Sequence, residues 1–155
     1  MPDTDRYAER LTVPWWWWPF GAAVSALLAA EVHSGAGGLR AVVPYLVAAV
    51  LFLAGMSALC RSRIRVENGY LVADAARLPI EVVAGVRVLT RDQVRALIGP
   101  AADPAAYLVI RPWLPGAVLV TLDDPEDDTP YWLLGSRHPD ALVAALTRAG
   151  ATEAG

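Results

Sequence analysis

The sequence predicts an α+β membrane protein, with an N-terminal two-helix transmembrane hairpin, a small antiparallel β barrel or sheet domain, and one C-terminal helix. Hydrophobic residues make up 55% of the 155 residues, above the 45–50% that is about average for a globular domain. Most of the excess lies between residues 13 and 60, in two long apolar runs. Beyond residue 60, short apolar segments alternate with turn residues, which is typical of β-structure.

The charge and cysteine content exclude several function classes. The formal net charge is −3, so there is no basic excess and we expect no nucleic-acid partner. Cys60 is the one cysteine of the chain, which excludes an intramolecular disulfide and a cysteine-built metal site. No sequence motif supports an enzymatic activity, and we expect no cofactor.

The first apolar run follows a polar tail, residues 1–12, and is predicted to span the membrane over about residues 13–33. This length is close to the roughly 20 residues that a bilayer core of about 30 Å requires. Indole rings prefer the headgroup level of a bilayer, so we interpret four consecutive tryptophans as an aromatic anchor in contact with lipid. These are Trp15, Trp16, Trp17 and Trp18.

Glu31 and His33 lie at the end of the first run, and two interpretations of them stay open. Their polar groups can reach water from the end of a helix, or they can form an ion or proton site at the outer interface. After a glycine-rich turn, a second charge-free run predicts a span over about residues 41–60. A cleaved signal peptide is the competing interpretation of the first run, but the acidic residues before it and the immediate second run argue against that.

Basic residues set the predicted orientation, because they flank both spans on the same side. Arginines that follow the second span add to those in the N-terminal tail, so the positive-inside rule predicts a two-pass protein of the cell membrane with both termini cytoplasmic. The alternation along a strand would place the three arginines on one face, where anionic inner-leaflet lipids are possible partners. The alternative is that they only set the topology. These residues are Arg61, Arg63 and Arg65.

Residues 61–149 are predicted to form a cytoplasmic domain, followed by a tail at 150–155. The alternation of residues 62–67 and the pair Asn68-Gly69 predict a hairpin, and further strands are expected near 77–80, 82–89, 107–110, 117–122 and 131–134. Thr90 with Gln93 fits a capping box for a short helix, and Pro139 suits the first position of the C-terminal helix. Strands closed by one C-terminal helix are the outline of a pleckstrin-homology-like barrel.

Two segments of this domain are candidate sites. Trp113 lies between two prolines and near Arg111, a rigid pair that suits a partner surface; the alternative is a tryptophan that closes the open end of the barrel. Five acidic residues crowd residues 123–128. Their spacing matches no calcium-binding loop, so we expect a solvated turn and no metal site.

The opening Tyr7-x-Glu9-Arg10-Leu11-x-Val13-Pro14, which runs into the four tryptophans, resembles the start of the DUF3093 family of small actinobacterial membrane proteins of unknown function. Further similar segments cover about residues 6–148: Glu31-Val32-His33, Ala76-Arg77-Leu78-Pro79, Asp103-Pro104-Ala105-Ala106-Tyr107, Arg111-Pro112-Trp113, and Thr129-Pro130-Tyr131-Trp132-Leu133 with Ser136-Arg137. The resemblance implies two spans and an actinobacterial plasma membrane. It implies no activity, ligand or catalytic residue.

The sequence therefore predicts a membrane-tethered binding or scaffolding module without catalytic activity, whose partners are the lipid bilayer and an unknown protein. The alternative is an accessory subunit of a transport or cell-envelope complex that uses Glu31 and His33 at the outer interface.

Overall fold

The computed structural model describes residues 7–33, 38–99, 102–125 and 127–153. The chain divides into a helical unit, Thr12–Ser62, and a β unit formed by the chain on both sides of it. The predicted turn at residues 34–37, Glu126 of the acidic turn, and the ends of both predicted tails lie outside the described residues.

The helical unit contains two helices that pack against each other. Helix α1 covers Trp17–His33 and helix α2 covers Val43–Leu59, with a short 3-10 helix at Gly38–Ala41 before α2. Gly21 permits the close packing, because a Cβ atom at this position would lie 2.5 Å from the ring of Phe52. The prediction of a helical pair in this part of the chain is confirmed.

The prediction of two transmembrane spans is wrong. Within the part of the chain that the structure describes, no helix combines the length and the hydropathy needed to cross a membrane. Each helix has 17 residues, which at 1.5 Å per residue gives about 25 Å, less than a hydrocarbon core of about 30 Å. The classification as a membrane protein, the two-pass topology and the cytoplasmic termini were derived from those spans and are corrected with them.

The predicted spans were too long because the apolar runs extend beyond the helices. The residues from Val13 to Trp16 precede α1, and turn-type hydrogen bonds join the Trp17 N–H to the Pro14 carbonyl at 3.1 Å and the Trp18 N–H to the Trp15 carbonyl at 3.2 Å. The apolar composition therefore predicts a helix in this region, but Pro14 and the turn that follows it decide where the helix begins.

In the part of the chain that the structure describes, the β unit has eight strands in two four-stranded sheets. The strands are β1 Tyr7–Arg10, β2 Arg63–Glu67, β3 Tyr70–Ala73, β4 Ala76–Pro79, β5 Val83–Leu89, β6 Tyr107–Val109, β7 Gly116–Leu122 and β8 Tyr131–Ser136. The unit also contains helix α3, Arg91–Ile98, and helix α4, Pro139–Arg148.

The first sheet has the order β1-β2-β3-β4, and all its pairs are antiparallel. The predicted hairpin between β2 and β3 is confirmed: Asn68 and Gly69 both have positive φ, at 52° and 77°, as a two-residue turn of this kind requires. Strand β1 lies before the helical unit in sequence, yet it pairs with β2 after it. The polar tail that the sequence predicts at residues 1–12 therefore contains an edge strand of the first sheet.

The second sheet has the order β5-β7-β8-β6. The register of β5 with β7 shifts between Val83 and Gly85, as at a β-bulge. Within the described residues, strand β6 lies at the edge of this sheet and runs parallel to β8. β8 lies between β7 and β6, and its residues from Trp132 to Ser136 are buried.

The main core lies on the face of the second sheet that packs with the inner face of the first sheet and with α4. It includes Ile64, Leu71, Val118, Leu134 and Leu142. A smaller cluster lies on the opposite face of the second sheet, where Leu119 and Leu133 contact apolar residues of α3. Because both faces of the second sheet are covered, the sequence of β8 is a continuous apolar run without alternating polar residues.

The predicted starts of both helices in the β unit are confirmed, but the predicted barrel is not. Thr90 and Gln93 form the predicted capping box of α3, and Pro139 stands in the first turn of α4. The strands, however, form two separate sheets, one of them mixed, so the fold is α+β without the pleckstrin-homology-like barrel. The predicted fold class is thus corrected in its barrel as well as in its membrane hairpin.

Candidate functional site

The two helices of the helical unit expose large apolar side chains. Seven of them are between 55% and 66% exposed: Phe20, Leu27, Leu28, Leu46, Val50, Leu51 and Leu53. Helix α2 contains no charged residue, and α1 contains one acidic residue near its C-terminal end. We call this exposed set the apolar hairpin surface.

An open groove of about 480 Å³ runs between the two helices. Its lining combines small side chains, among them Ser25, Ala29 and Ala48, with Leu28 and Leu51. The Ser25 hydroxyl donates a hydrogen bond to the Gly21 carbonyl at 2.8 Å, so its polar group is satisfied within α1. The groove therefore offers an apolar lining to an apolar chain.

The predicted aromatic anchor lies at the N-terminal end of α1. Trp15 is 80% exposed and Trp16 is 54% exposed, whereas Trp18 lies edge-on to the ring of Phe52, with 6.0 Å between ring centroids. Trp16 and Trp17 also contact each other, at 5.6 Å. The structure thus exposes two of the four indoles most strongly, and their contact with lipid stays a prediction.

Four arginines project from the outer face of the first sheet: Arg10, Arg63, Arg65 and Arg77. They alternate along their strands with buried residues of the core. The strand register places Arg10 directly opposite Arg63. In the next cross-strand row, Val72 of β3 lies between Arg65 and Arg77. Alternation predicted that Arg61, Arg63 and Arg65 share a face; strand pairing keeps Arg63 and Arg65 there and adds Arg10 and Arg77. We call this set the arginine face.

The other predicted site residues are more dispersed. Arg61 is exposed in the turn before β2 and belongs to the helical unit, so it is not part of the arginine face. Arg111 and Trp113 are both half-buried. Glu31 is exposed near the end of α1, and His33 is the last residue of that helix. Within the described residues, no group of histidine, cysteine, aspartate or glutamate is arranged to hold a metal ion.

A buried carboxylate that is not among the predicted site residues joins the two sheets of the β unit. Glu9 of β1 is 8% exposed. Its Oε2 accepts hydrogen bonds from the Ser136 hydroxyl at 2.6 Å and the Tyr7 hydroxyl at 2.7 Å, and its Oε1 accepts one from the Arg137 N–H at 2.7 Å. The Ser136 oxygen also accepts a hydrogen bond from the His138 N–H at 3.0 Å.

This cluster has the composition of a serine–carboxylate pair, but its geometry is structural. Ser136 is completely buried, and its hydroxyl already donates to Glu9, so the side chain presents no group to a substrate. The signal in the sequence was the alternation of β1, in which Glu9 falls on the same side of the strand as the buried Leu11.

The Tyr7 hydroxyl makes the β unit sensitive to alkaline pH. Burial, with a smaller contribution from the Glu9 carboxylate, raises the pKa of Tyr7 to about 12 from its ordinary value of 10.0. A phenol whose pKa is higher in the folded state stabilises that state fully below pH 10, and the contribution is lost as the pH rises towards 12. We therefore expect the free energy of unfolding, measured in urea between pH 9 and 12, to fall more steeply for the natural protein than for Tyr7→Phe. Parallel pH dependences would contradict this assignment.

The fold and its surfaces define an α+β protein in which an apolar helical hairpin is inserted between two paired strands of a β unit. By sequence, the chain belongs to the DUF3093 family, described as a protein of unknown function, whose sequence model matches residues 6–146. This match contains the arginine face and the Glu9 cluster. No curated protein and no solved structure matches the chain.

Proposed function

We propose that this protein is a non-catalytic binding module that attaches to a lipid surface through its apolar hairpin surface. The observation that carries the proposal is the exposure of the seven large apolar side chains defined above, each more than half exposed. At about 100 Å² of apolar surface per side chain, these seven alone expose roughly 400 Å². Apolar side chains exposed to water in this number on two neighbouring helices indicate a binding surface.

The distribution of the apolar side chains favours lipid over a single protein partner. A protein interface usually requires one apolar stripe, whereas a helix that is apolar on all sides is suited to complete burial. Leu46, Val50 and Leu53 lie on one side of α2, and Leu51 lies outside that set, yet all four are exposed by more than half. Acyl chains can surround such helices from several directions at once.

The proposal involves no helix that crosses the bilayer. We propose that the hairpin is immersed among the acyl chains of one leaflet, so that lipid surrounds its apolar sides while its two ends remain close to the headgroups. Trp15 and Trp16 at one end suit this level, because an indole ring is apolar and carries one polar N–H. The exposed Glu31 at the far end of α1 then keeps contact with water.

Flotation with neutral phosphatidylcholine vesicles tests the proposal. We expect the natural protein to float with the vesicles, and the triple variant Leu46→Gln, Val50→Gln, Leu53→Gln to bind at least a hundredfold more weakly. The estimate assumes about 1 kcal/mol of lost apolar transfer for each substitution. Tryptophan fluorescence should shift to shorter wavelength on binding, because the exposed indoles move to a less polar environment.

The matched control replaces three exposed apolar residues of the β unit: Val88→Gln, Ile98→Gln and Leu108→Gln. These side chains are 40%, 48% and 44% exposed, and we expect their variant to float as the natural protein does. Equal loss of binding in both triple variants would contradict the assignment to the hairpin. An oligomer that forms without vesicles, depends on the three hairpin residues and does not float would overturn the lipid proposal in favour of a protein partner.

A further inference from the structure

We infer that the arginine face binds the phosphate groups of anionic lipids, and thereby gives the proposed lipid attachment a preference for negatively charged surfaces. This inference rests on the proposed function, which it deepens by naming the class of lipid. It is based on the β unit alone, whereas the proposed attachment is based on the helical unit.

The arginine face carries a local excess of positive charge. Arg10, Arg63, Arg65 and Arg77 share the outer face of one sheet with a single glutamate of the same strands, Glu67, which is half-buried. The Asp74 carboxylate, in the turn between β3 and β4, accepts a hydrogen bond from the backbone N–H of Arg63 at 3.1 Å, and the four arginines still outnumber the two acidic residues beside them. The whole chain has a net charge of −3, so this excess is a property of the face and not of the composition.

The repulsion between Arg10 and Arg63 is unfavourable in the free protein. Arg10 and Arg63 lie directly opposite each other on antiparallel strands, and like charges in that position destabilise a sheet. A bound anion between the two guanidinium groups removes the repulsion. An arginine pair of this kind therefore indicates an anionic ligand more strongly than the same two residues would at separate positions.

The arginine face includes a depression that can hold an anionic group. Arg10, Arg63 and Arg65 line a depression of about 400 Å³ over β1 and β2; the rest of its lining comes from Tyr7, Ala8, Glu9 and Glu67. Guanidinium groups bind phosphate oxygens through two parallel hydrogen bonds. Because Arg77 lies two strands away from Arg65, the charges extend across the sheet. That spread suits an array of headgroups, whereas one small anion would contact only part of it.

The experiment compares vesicles of pure phosphatidylcholine with vesicles in which a third of the lipid is phosphatidylglycerol. Each arginine near an anionic surface contributes about 1 kcal/mol, so we expect Arg63→Gln with Arg65→Gln to bind the anionic vesicles roughly thirtyfold more weakly than the natural protein. Binding to the neutral vesicles should be unchanged. The preference of the natural protein for anionic vesicles should also decrease at 0.5 M salt, where charges are screened beyond a few ångströms.

Arg87→Gln with Arg91→Gln is the matched control, because both side chains are exposed and the change in net charge is the same. We expect this control to change anionic binding less than twofold. Equal loss in both double variants, or no loss in the first, would overturn the inference. Arginine-dependent binding of a short single-stranded RNA without a preference for anionic vesicles would overturn it in favour of a nucleic-acid ligand.

The two proposals fail in different ways in this experiment. If the hairpin proposal is wrong, the natural protein does not float with neutral vesicles, but the difference between natural protein and Arg63→Gln/Arg65→Gln on anionic vesicles still reports on the arginine face. If the arginine inference is wrong, flotation with neutral vesicles persists and the natural protein shows no preference for anionic ones.

Discussion

Replacing Glu9 by alanine is expected to lower the free energy of unfolding of the β unit by about 3 kcal/mol. The substitution leaves the Ser136 hydroxyl and the Arg137 N–H without their acceptor at a site where Ser136 is completely buried. A buried donor that loses its partner costs more than the hydrogen bond contributed, because it can no longer bond to water either. Urea unfolding monitored by circular dichroism in the β region measures the change.

Two further variants separate the hydrogen bonds from general effects of the substitution. Glu9→Gln keeps the size of the side chain and one carbonyl acceptor, so we expect it to cost less than half as much as Glu9→Ala. Glu81→Ala removes an exposed carboxylate of the same unit, and we expect a change within about 0.5 kcal/mol. Similar costs for Glu9→Ala and Glu81→Ala would show that the buried contacts of Glu9 do not stabilise the unit.

Trp132→Ala is expected to be the more damaging substitution, with a loss of about 3–5 kcal/mol. Trp132 of β8 is 6% exposed, and its ring contacts the ring of Tyr107 at 4.5 Å between centroids. Tyr107 in turn donates a hydrogen bond from its hydroxyl to the Ala73 carbonyl of the first sheet at 3.2 Å. Loss of the indole therefore opens a cavity in the main core. It also removes the ring that packs against Tyr107, whose hydroxyl bonds to the first sheet.

The controls for Trp132 distinguish the cavity from the hydrogen bond. We expect Trp132→Phe to retain most of the stability, because it keeps an aromatic ring against Tyr107. Tyr107→Phe should cost about 1 kcal/mol, the usual net contribution of one hydrogen bond. Chemical unfolding of the three variants provides the comparison, and a loss for Tyr107→Phe as large as that for Trp132→Ala would contradict the cavity explanation.

Local signals predicted much of the β unit, because they depend on residues close together in sequence. Asn68-Gly69 requires positive φ at both positions, and Thr90 with Gln93 satisfies the first N–H groups of a helix from within one turn. Pro139 also acts locally, at the start of α4. Such features hold in almost any tertiary context, so the turn and both helix starts were predicted at the correct positions.

Long-range pairing could not be predicted in the same way. Nothing near Tyr107 in sequence indicates that β6 pairs in parallel with β8 at the edge of its sheet. Likewise, alternation predicted one face for Arg61, Arg63 and Arg65, but β2 begins at Arg63. Only the pairing of β1 and β4 brings Arg10 and Arg77 to that face. The sequence therefore predicted two of the four residues of the arginine face.

The transmembrane prediction failed for a different reason. Hydropathy counts apolar residues without regard to the backbone, and the run from Val13 to Trp16 is apolar but lies before the helix. The same applies before α2, where a 3-10 helix at Gly38–Ala41 precedes Val43. Each helix is consequently shorter than the apolar run that contains it.

The insertion of the hairpin between β1 and β2 has a consequence for the order of folding. Strand β1 is synthesised before the hairpin, but its partner β2 follows the hairpin, so Arg10 meets Arg63 only after the whole helical unit has been made. Closing an unstructured loop of that length costs on the order of 3–4 kcal/mol in chain entropy. Prior formation of α1 and α2 shortens the effective loop and lowers this barrier, so the speed at which the first sheet gains its edge strand depends on helices that are not part of that sheet.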